Sequence, residues 1–323
     1  LEFTQKAQLQ LVQMAAPVIG GPQKGGGSMS YQEGMANGVT PHLHSHSGRE
    51  NSMGRLLLDM GRLTPEDAER VVRVAKEEGM RFGEAAQHLG LVTEADIQQV
   101  LAHQFDYPYL HSGQGSFPVE LVAAFQPFSA HVEMLRAVRS QLMLRWFSED
   151  RKSLAIASVN SGEGASFFAA NLAVVFSQLG EHTLLVDANL RQPRQHEIFH
   201  QEGRQGLSDI LVGRADLSAI SKVEYFVDLS LLPAGTLPPN PQELVSRSSF
   251  ANLNQSLASK FDVILYDVPA FSTAADAFGI SACAEGVLLV VHKNQTRLAD
   301  VSAISEQLAR SGTEVVGSVL LEF

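Results

Sequence analysis

One cysteine in 323 residues excludes a disulfide framework and a thiolate metal centre. That residue, Cys283, lies in the apolar run Ser-Ala-Cys-Ala and reads as a buried structural thiol. No uninterrupted apolar run approaches the roughly 18–20 residues that a membrane-spanning helix needs, and the first residues lack the charged-then-apolar layout of a signal peptide. Positive charge is scarce too: 24 Lys and Arg stand against 35 Asp and Glu, a formal charge of −11. This argues against nucleic acid or an anionic membrane surface as the principal partner. The expected compartment is the cytoplasm, with no direct membrane insertion.

What is present is the composition of a globular protein, 45% hydrophobic and 18% charged, long enough for one large domain and a smaller one. Residues 155–191 organise it. They read as a strand, a glycine loop (Ser161-Gly162-Glu163-Gly164-Ala165-Ser166), an apolar helix, and a second strand ending at Asp187. Such a loop turns backbone N–H groups onto phosphates, and the helix start adds partial positive charge. Ser166 stands where a P-loop hydroxyl ligates Mg²⁺. The position that a P-loop fills with Lys is Ala165. The cradle is present without its charge.

Strands are expected at 153–158, 183–187, 230–233, 261–267, 286–292 and 315–320, with helices at 166–179, 241–258 and 298–311 between them. This alternation predicts an α/β fold: a P-loop NTPase parallel sheet with helices on both faces. Ligands bind such sheets at the carboxyl ends of the strands, where Asp187 and Asp267 both fall. Two carboxylates there, with Ser166, suit a hydrated Mg²⁺ held against the phosphates of ATP or ADP.

Residues 1–49, rich in Gly, Gln, Ser and His, are expected to form a disordered arm. Lys24-Gly25-Gly26-Gly27 is what a purine-rich ribosome-binding site encodes when translated, so Met29 is the expected start of translation. His42, His44 and His46 in this arm read as solvated. From Ser52 to Gln104 the chain repeats with a period of 29: Gly54 matches Gly83, Gly61 matches Gly90, Thr64 matches Thr93, Asp67 matches Asp96 and Val71 matches Val100. Thr caps with acids in the first helical turn mark a helix start in each copy. Residues 50–110 are therefore expected to form a small all-α domain built by duplication, 111–128 a linker, and 129–323 the large domain. In the helix that opens the large domain, Glu133, Arg136 and Arg139 form a stripe that, alone, would be solvated surface. Phe167 and Phe168 read as core. His196 and His200 have metal-pair spacing without a third ligand and read as structural or surface residues.

The glycine loop, the block at 184–199, the run Leu232-Pro-Ala-Gly-Thr-Leu-Pro-Pro-Asn-Pro-Gln-Glu-Leu244 and the segment ending in Asp267 resemble the bacterial tyrosine kinases (BY-kinases) from about residue 129 onward. The stripe Glu133-x-x-Arg136-x-x-Arg139 is similar to that family's oligomerisation motif. Residues 52–110 resemble the N-terminal domain of type II secretion and pilus ATPases, so the whole looks like the EpsG-type kinase that accompanies a membrane chain-length determinant. That resemblance implies an ATP- and Mg²⁺-dependent tyrosine autokinase in exopolysaccharide export. Its catalytic positions are Asp187, Asn189 and Asp267, its phosphate loop is residues 162–166, and its partners are further copies of itself and a polysaccharide co-polymerase at the inner face of the membrane. The pattern is broken at three points: Ala165 replaces Lys, Asn189 replaces an acid, and residues 267–323 contain no tyrosine. Impaired catalysis is the leading expectation. The alternatives are an active kinase acting on Tyr31 or a partner's tyrosine, and a cyclic di-GMP receptor using Arg81 and Gln104, in which Ser52 and Ala75 break the first of two binding motifs. A partition-type ATPase is disfavoured, since no Lys occurs between Ser158 and Ser161.

Overall fold

The computed structural model describes residues 8–12, 52–104, 110, 117–148, 150–201 and 205–322. They fall into two units. The smaller contains α1 (Met53–Asp59), α2 (Pro65–Glu78), α3 (Phe82–His88) and α4 (Glu94–Gln104). Its core gathers Leu57, Val71, Ala85, Ala86 and Val100, apolar residues at helical spacing. The start of α2 is capped by Thr64, whose hydroxyl accepts from Asp67 N at 3.2 Å. Twenty-nine residues on, Thr93 accepts from Asp96 N at 3.2 Å. Gly61 and Gly90, with φ of +66° and +67°, make the left-handed turn before each cap.

The larger unit is an eight-stranded sheet. In chain order its strands are β1 (Gln8–Val12), β2 (Ser153–Ser158), β3 (Thr183–Asp187), β4 (Ser221–Lys222), β5 (Leu229–Leu232), β6 (Val263–Asp267), β7 (Gly286–His292) and β8 (Glu314–Glu322). The spatial order is β1-β8-β7-β2-β6-β3-β5-β4. The six inner strands are parallel, while β1 and β4 pair antiparallel at the two edges. Alternate residues of each inner strand feed two cores. Ile156, Leu185 and Leu265 enter one with α5 (Val122–Phe125), α6 (Ala130–Arg145) and α7 (Ala165–Ser177). Ala155, Leu184 and Ile264 enter the other. That opposite face carries α9 (Leu207–Leu211), α10 (Pro241–Val245), α11 (Ser248–Ala258), α12 (Asp276–Cys283) and α13 (Leu298–Arg310), while the short α8 (Gln195–Ile198) lies beyond the end of β3. Both faces of the sheet are covered, the condition for a parallel sheet.

Four expectations need correction. Residues 8–12, assigned to a disordered arm, pair with β8 from Gln8 opposite Glu322 to Val12 opposite Ser318. Their polar–apolar alternation suits a strand, and β8 would otherwise be an open edge. The second half of the expected linker belongs to the large unit: Leu121, Ala123 and Ala124 are buried, and Leu110 N donates to Ala124 O at 3.0 Å. The capturing group is Asn171 inside α7, which accepts from Ala123 N at 2.9 Å and donates to Glu120 O at 3.0 Å. The helix expected at 241–258 is broken where Ser246 Oγ donates to Gln242 O and Arg247 is extended, since serines compete for helix carbonyls. Cys283 is half-buried, with its thiol pushed up to about 11 chiefly by burial. Tyr31 and the three His of the arm lie outside the described residues.

Candidate active site

The carboxyl ends of β2, β3 and β6 meet at a cavity of about 580 Å³ lined by Ser161, Gly162, Gly164, Ala165, Ser166 and Asn189 among others. The loop can turn here because Gly162 and Gly164 take φ of +84° and +86°, a region that favours glycine. Gly164 also caps α7, whose thirteen residues begin at Ala165. Glu163, expected among the phosphate-binding residues, directs its carboxylate inward. It is 2% exposed and accepts from Asn160 N (2.9 Å), Asn160 Nδ2 (2.8 Å) and the Thr296 hydroxyl (2.6 Å). It staples the loop to the segment between β7 and α13.

Asp187 and Asp267 stand side by side, paired in register at the ends of β3 and β6. Both are fully buried. Asp187 Oδ2 accepts from the backbone N–H groups of Arg194 and Gln195, each at 2.9 Å. Asp267 Oδ2 accepts from Gln195 Nε2 at 2.7 Å, and the same amide donates to Ser166 O at 3.0 Å. Asp267 Oδ1 is buried without a hydrogen-bond partner. Burial pushes Asp267 up to about 6, against the pull of Gln195, Ser166 and the Arg194 charge. Asp187 is driven well above its usual range by burial and then by Asp267. Two carboxylates held this way are short of positive charge. With the Ser166 hydroxyl they form an all-oxygen donor set that fits Mg²⁺. Within the loop, Ala165 supplies no cation.

Asn189 uses its side-chain oxygen to accept from Gln192 N at 3.1 Å, so it ties the turn after β3. Phe168 is core as expected, whereas Phe167 is half-buried and lines the cavity. In the α6 stripe, Glu133 and Arg136 pair with each other at the surface. Arg139 departs from the solvated reading: it is half-buried, donates to Val175 O of α7, and burial lowers its pKa. His200 packs edge-on to Phe117 with ring centroids 6.3 Å apart. In the smaller unit, exposed Arg81 precedes α3 and Gln104 ends α4; the Gln104 side chain lies outside the described residues. Gln195, Asn171 and Thr296 were not singled out from sequence. For Asn171 the signal was a lone amide in an otherwise apolar helix.

The sequence matches the family described as cellulose biosynthesis protein BcsQ over residues 151–304. It is 33% identical over 195 residues to the putative tyrosine-protein kinase CapB of Staphylococcus aureus, covering 60% of this chain and 86% of that protein. The chain belongs to the bacterial tyrosine kinase family. The tyrosine-protein kinase YwqD of Bacillus subtilis is 32% identical over 62% of this chain and 84% of its own length. Among solved structures of the family, the chimerical protein CapA2B2 superposes with a TM-score of 0.59 at 33% identity, covering 69% of this chain and 97% of that one. The kinase domain of Escherichia coli ETK gives 0.59 at 26% identity over 62% of this chain and 78% of its own. BY-kinase relatives thus share the P-loop-type sheet.

Proposed function

We propose that this chain binds Mg²⁺ with ATP or ADP in the cavity at the ends of β2, β3 and β6, and that it is a tyrosine kinase of its family with curtailed phosphotransfer. The observation that carries this reading is the mismatch within one site. The glycine turn and the paired acids are built, with Asp267 Oδ1 left without a partner, while position 165 offers no cation. Ser166, Asp187 and Asp267 would hold the metal, and the backbone amides of residues 162–166 the phosphates. Bound Mg²⁺ would offset phosphate charge during transfer. Losing one preorganised donor to a transferring phosphoryl group costs on the order of 10²–10³ in rate. Asn189 in place of an acid removes a second charge from the same place.

The likeness to CapB supports a role in capsule or exopolysaccharide chain length and export, in contact with a membrane chain-length determinant. Self-association would use α6, of which Glu133 and Arg136 are the surface part. We read the four-helix unit as a duplicated docking module of the EpsG type, similar to the N-terminal domain of secretion and pilus ATPases. The recurrence of the Thr cap and the glycine turn after 29 residues supports that reading. Calorimetric titration of Mg²⁺-ADP tests the site: heat of binding with the native chain, lost in Asp267→Asn/Asp187→Asn, is expected. Equal binding by both proteins would place the nucleotide elsewhere.

A further inference from the structure

Two arginines line the cavity that contains the glycine loop, Arg191 and Arg194, and both are already ion-paired. Arg191 donates through Nε and Nη2 to the Asp276 carboxylate at 3.0–3.3 Å, and the Asp276 side chain is 1% exposed. Arg194 donates through Nη2 to both oxygens of Glu120, at 2.8 and 2.7 Å, and these two side chains are 45% and 37% exposed. The difference in burial decides which cation can be released. Withdrawing Arg191 strands a carboxylate buried away from water, which is costly. Withdrawing Arg194 leaves Glu120 to water, and a pair as exposed as this contributes little.

Arg194 is also placed for the task. Its backbone N–H is fixed on Asp187 Oδ2 at 2.9 Å, and the residue lines the cavity. The Glu120 backbone is fixed in turn, its carbonyl accepting from Asn171 Nδ2 at 3.0 Å. Two anchored backbones therefore hold an exchangeable guanidinium, from a residue that lines the cavity, against the exchangeable carboxylate that now occupies it. Carboxylate and phosphate both offer a guanidinium paired anionic oxygens.

We propose that Arg194 is the phosphate-binding cation of this site, held in reserve by Glu120, whose carboxylate is exchanged for phosphate oxygens when a nucleoside polyphosphate enters. The inference rests on the cavity being a nucleotide site. It assigns the missing lysine charge to a residue that arrives from the strand β3 side, and it makes affinity a competition between Glu120 and the ligand.

The test is titration of Mg²⁺-ADP into the full native chain, Glu120→Gln, Arg194→Gln and the double variant, with each protein's melting temperature recorded. Glu120→Gln is expected to bind about 1.4- to fivefold tighter, the range set by the exposed pair it removes. Arg194→Gln is expected to bind at least tenfold more weakly, and Glu120→Gln should have no further effect in that background. Native binding matched by both single variants, or a Glu120→Gln gain that persists without Arg194, overturns the inference and leaves the nucleotide site standing. Absence of binding in all four folded chains overturns both.

Discussion

Asn at position 267 should make the ligand-free chain more stable, because the native acid is held charged against its surroundings. Asp267 is fully buried, its Oδ1 has no partner, and it faces Asp187 in register. Its pKa is raised from 3.8 to about 6, so between those values the folded state binds more protons than the unfolded one. Stability then falls as pH rises through that window and stays low above it. At 1.36 kcal/mol per unit the loss is about 3 kcal/mol. Asp267→Asn keeps an oxygen to accept from Gln195 and removes the charge. At pH 7.5 without metal it should gain up to about 3 kcal/mol, or roughly 6–12 °C in melting temperature for a domain of this size. Below pH 4 it should match the native chain. Urea denaturation from pH 4 to 8 provides the comparison. A variant no more stable at pH 7.5, or one keeping the native slope between pH 4 and 6, would refute the reasoning.

Glu163→Ala leaves Asn160 and Thr296 donors unsatisfied, an expected loss of about 1–3 kcal/mol, and should weaken Mg²⁺-ADP binding by loosening the loop; unchanged affinity by calorimetry would count against the staple. Gly286→Ala would bring a Cβ to 2.4 Å from the Trp146 ring, which is buried with Nε1 donating to Ser153 O at 2.8 Å. Overpacking there should cost about 1–3 kcal/mol in urea denaturation, and native-like stability would show that the ring moves freely. Asp96→Ala removes the acid that accepts from Thr93 N and the Thr93 hydroxyl at 2.9 and 2.6 Å. Although burial opposes it, those bonds and Arg62 hold the Asp96 pKa below its ordinary value, so its contribution is present at neutral pH and lost on acidification. A loss of about 1 kcal/mol should appear as faster amide exchange in α4 at pH 7; exchange unchanged there would contradict the cap.

The inner strands were legible because a parallel strand buried on both faces is a short continuous apolar run. The bounds expected for β2, β3 and β7 coincide with those observed. The glycine loop and the two acids were legible for the same reason: their positions follow from where the strands end. Side-chain direction was not. Glu163 lies within the loop sequence yet turns away from the cavity toward Thr296, a contact 133 residues distant. Residues 117–128 look like a linker by composition, and it takes partners far along the chain, the amide of Asn171 and the core that buries Leu121, Ala123 and Ala124, to make them part of the domain. Likewise β1 forms because β8 offers an edge, which composition alone does not reveal. Arg139 reads as one member of a charged stripe, and its burial against α7 depends on how closely α6 packs there. The acids were identified as a pair, but that Gln195 bridges Asp267 to Ser166 required the turn after β3 in three dimensions.

The most direct measurement is single-turnover hydrolysis of Mg²⁺-ATP by the native chain beside Ala165→Lys/Asn189→Asp, with nucleotide affinity measured on both proteins. The site described here predicts that the native chain binds nucleotide and releases phosphate at least about 10²-fold more slowly than the double variant. Equal rates, or a native chain that binds no nucleotide, would contradict it.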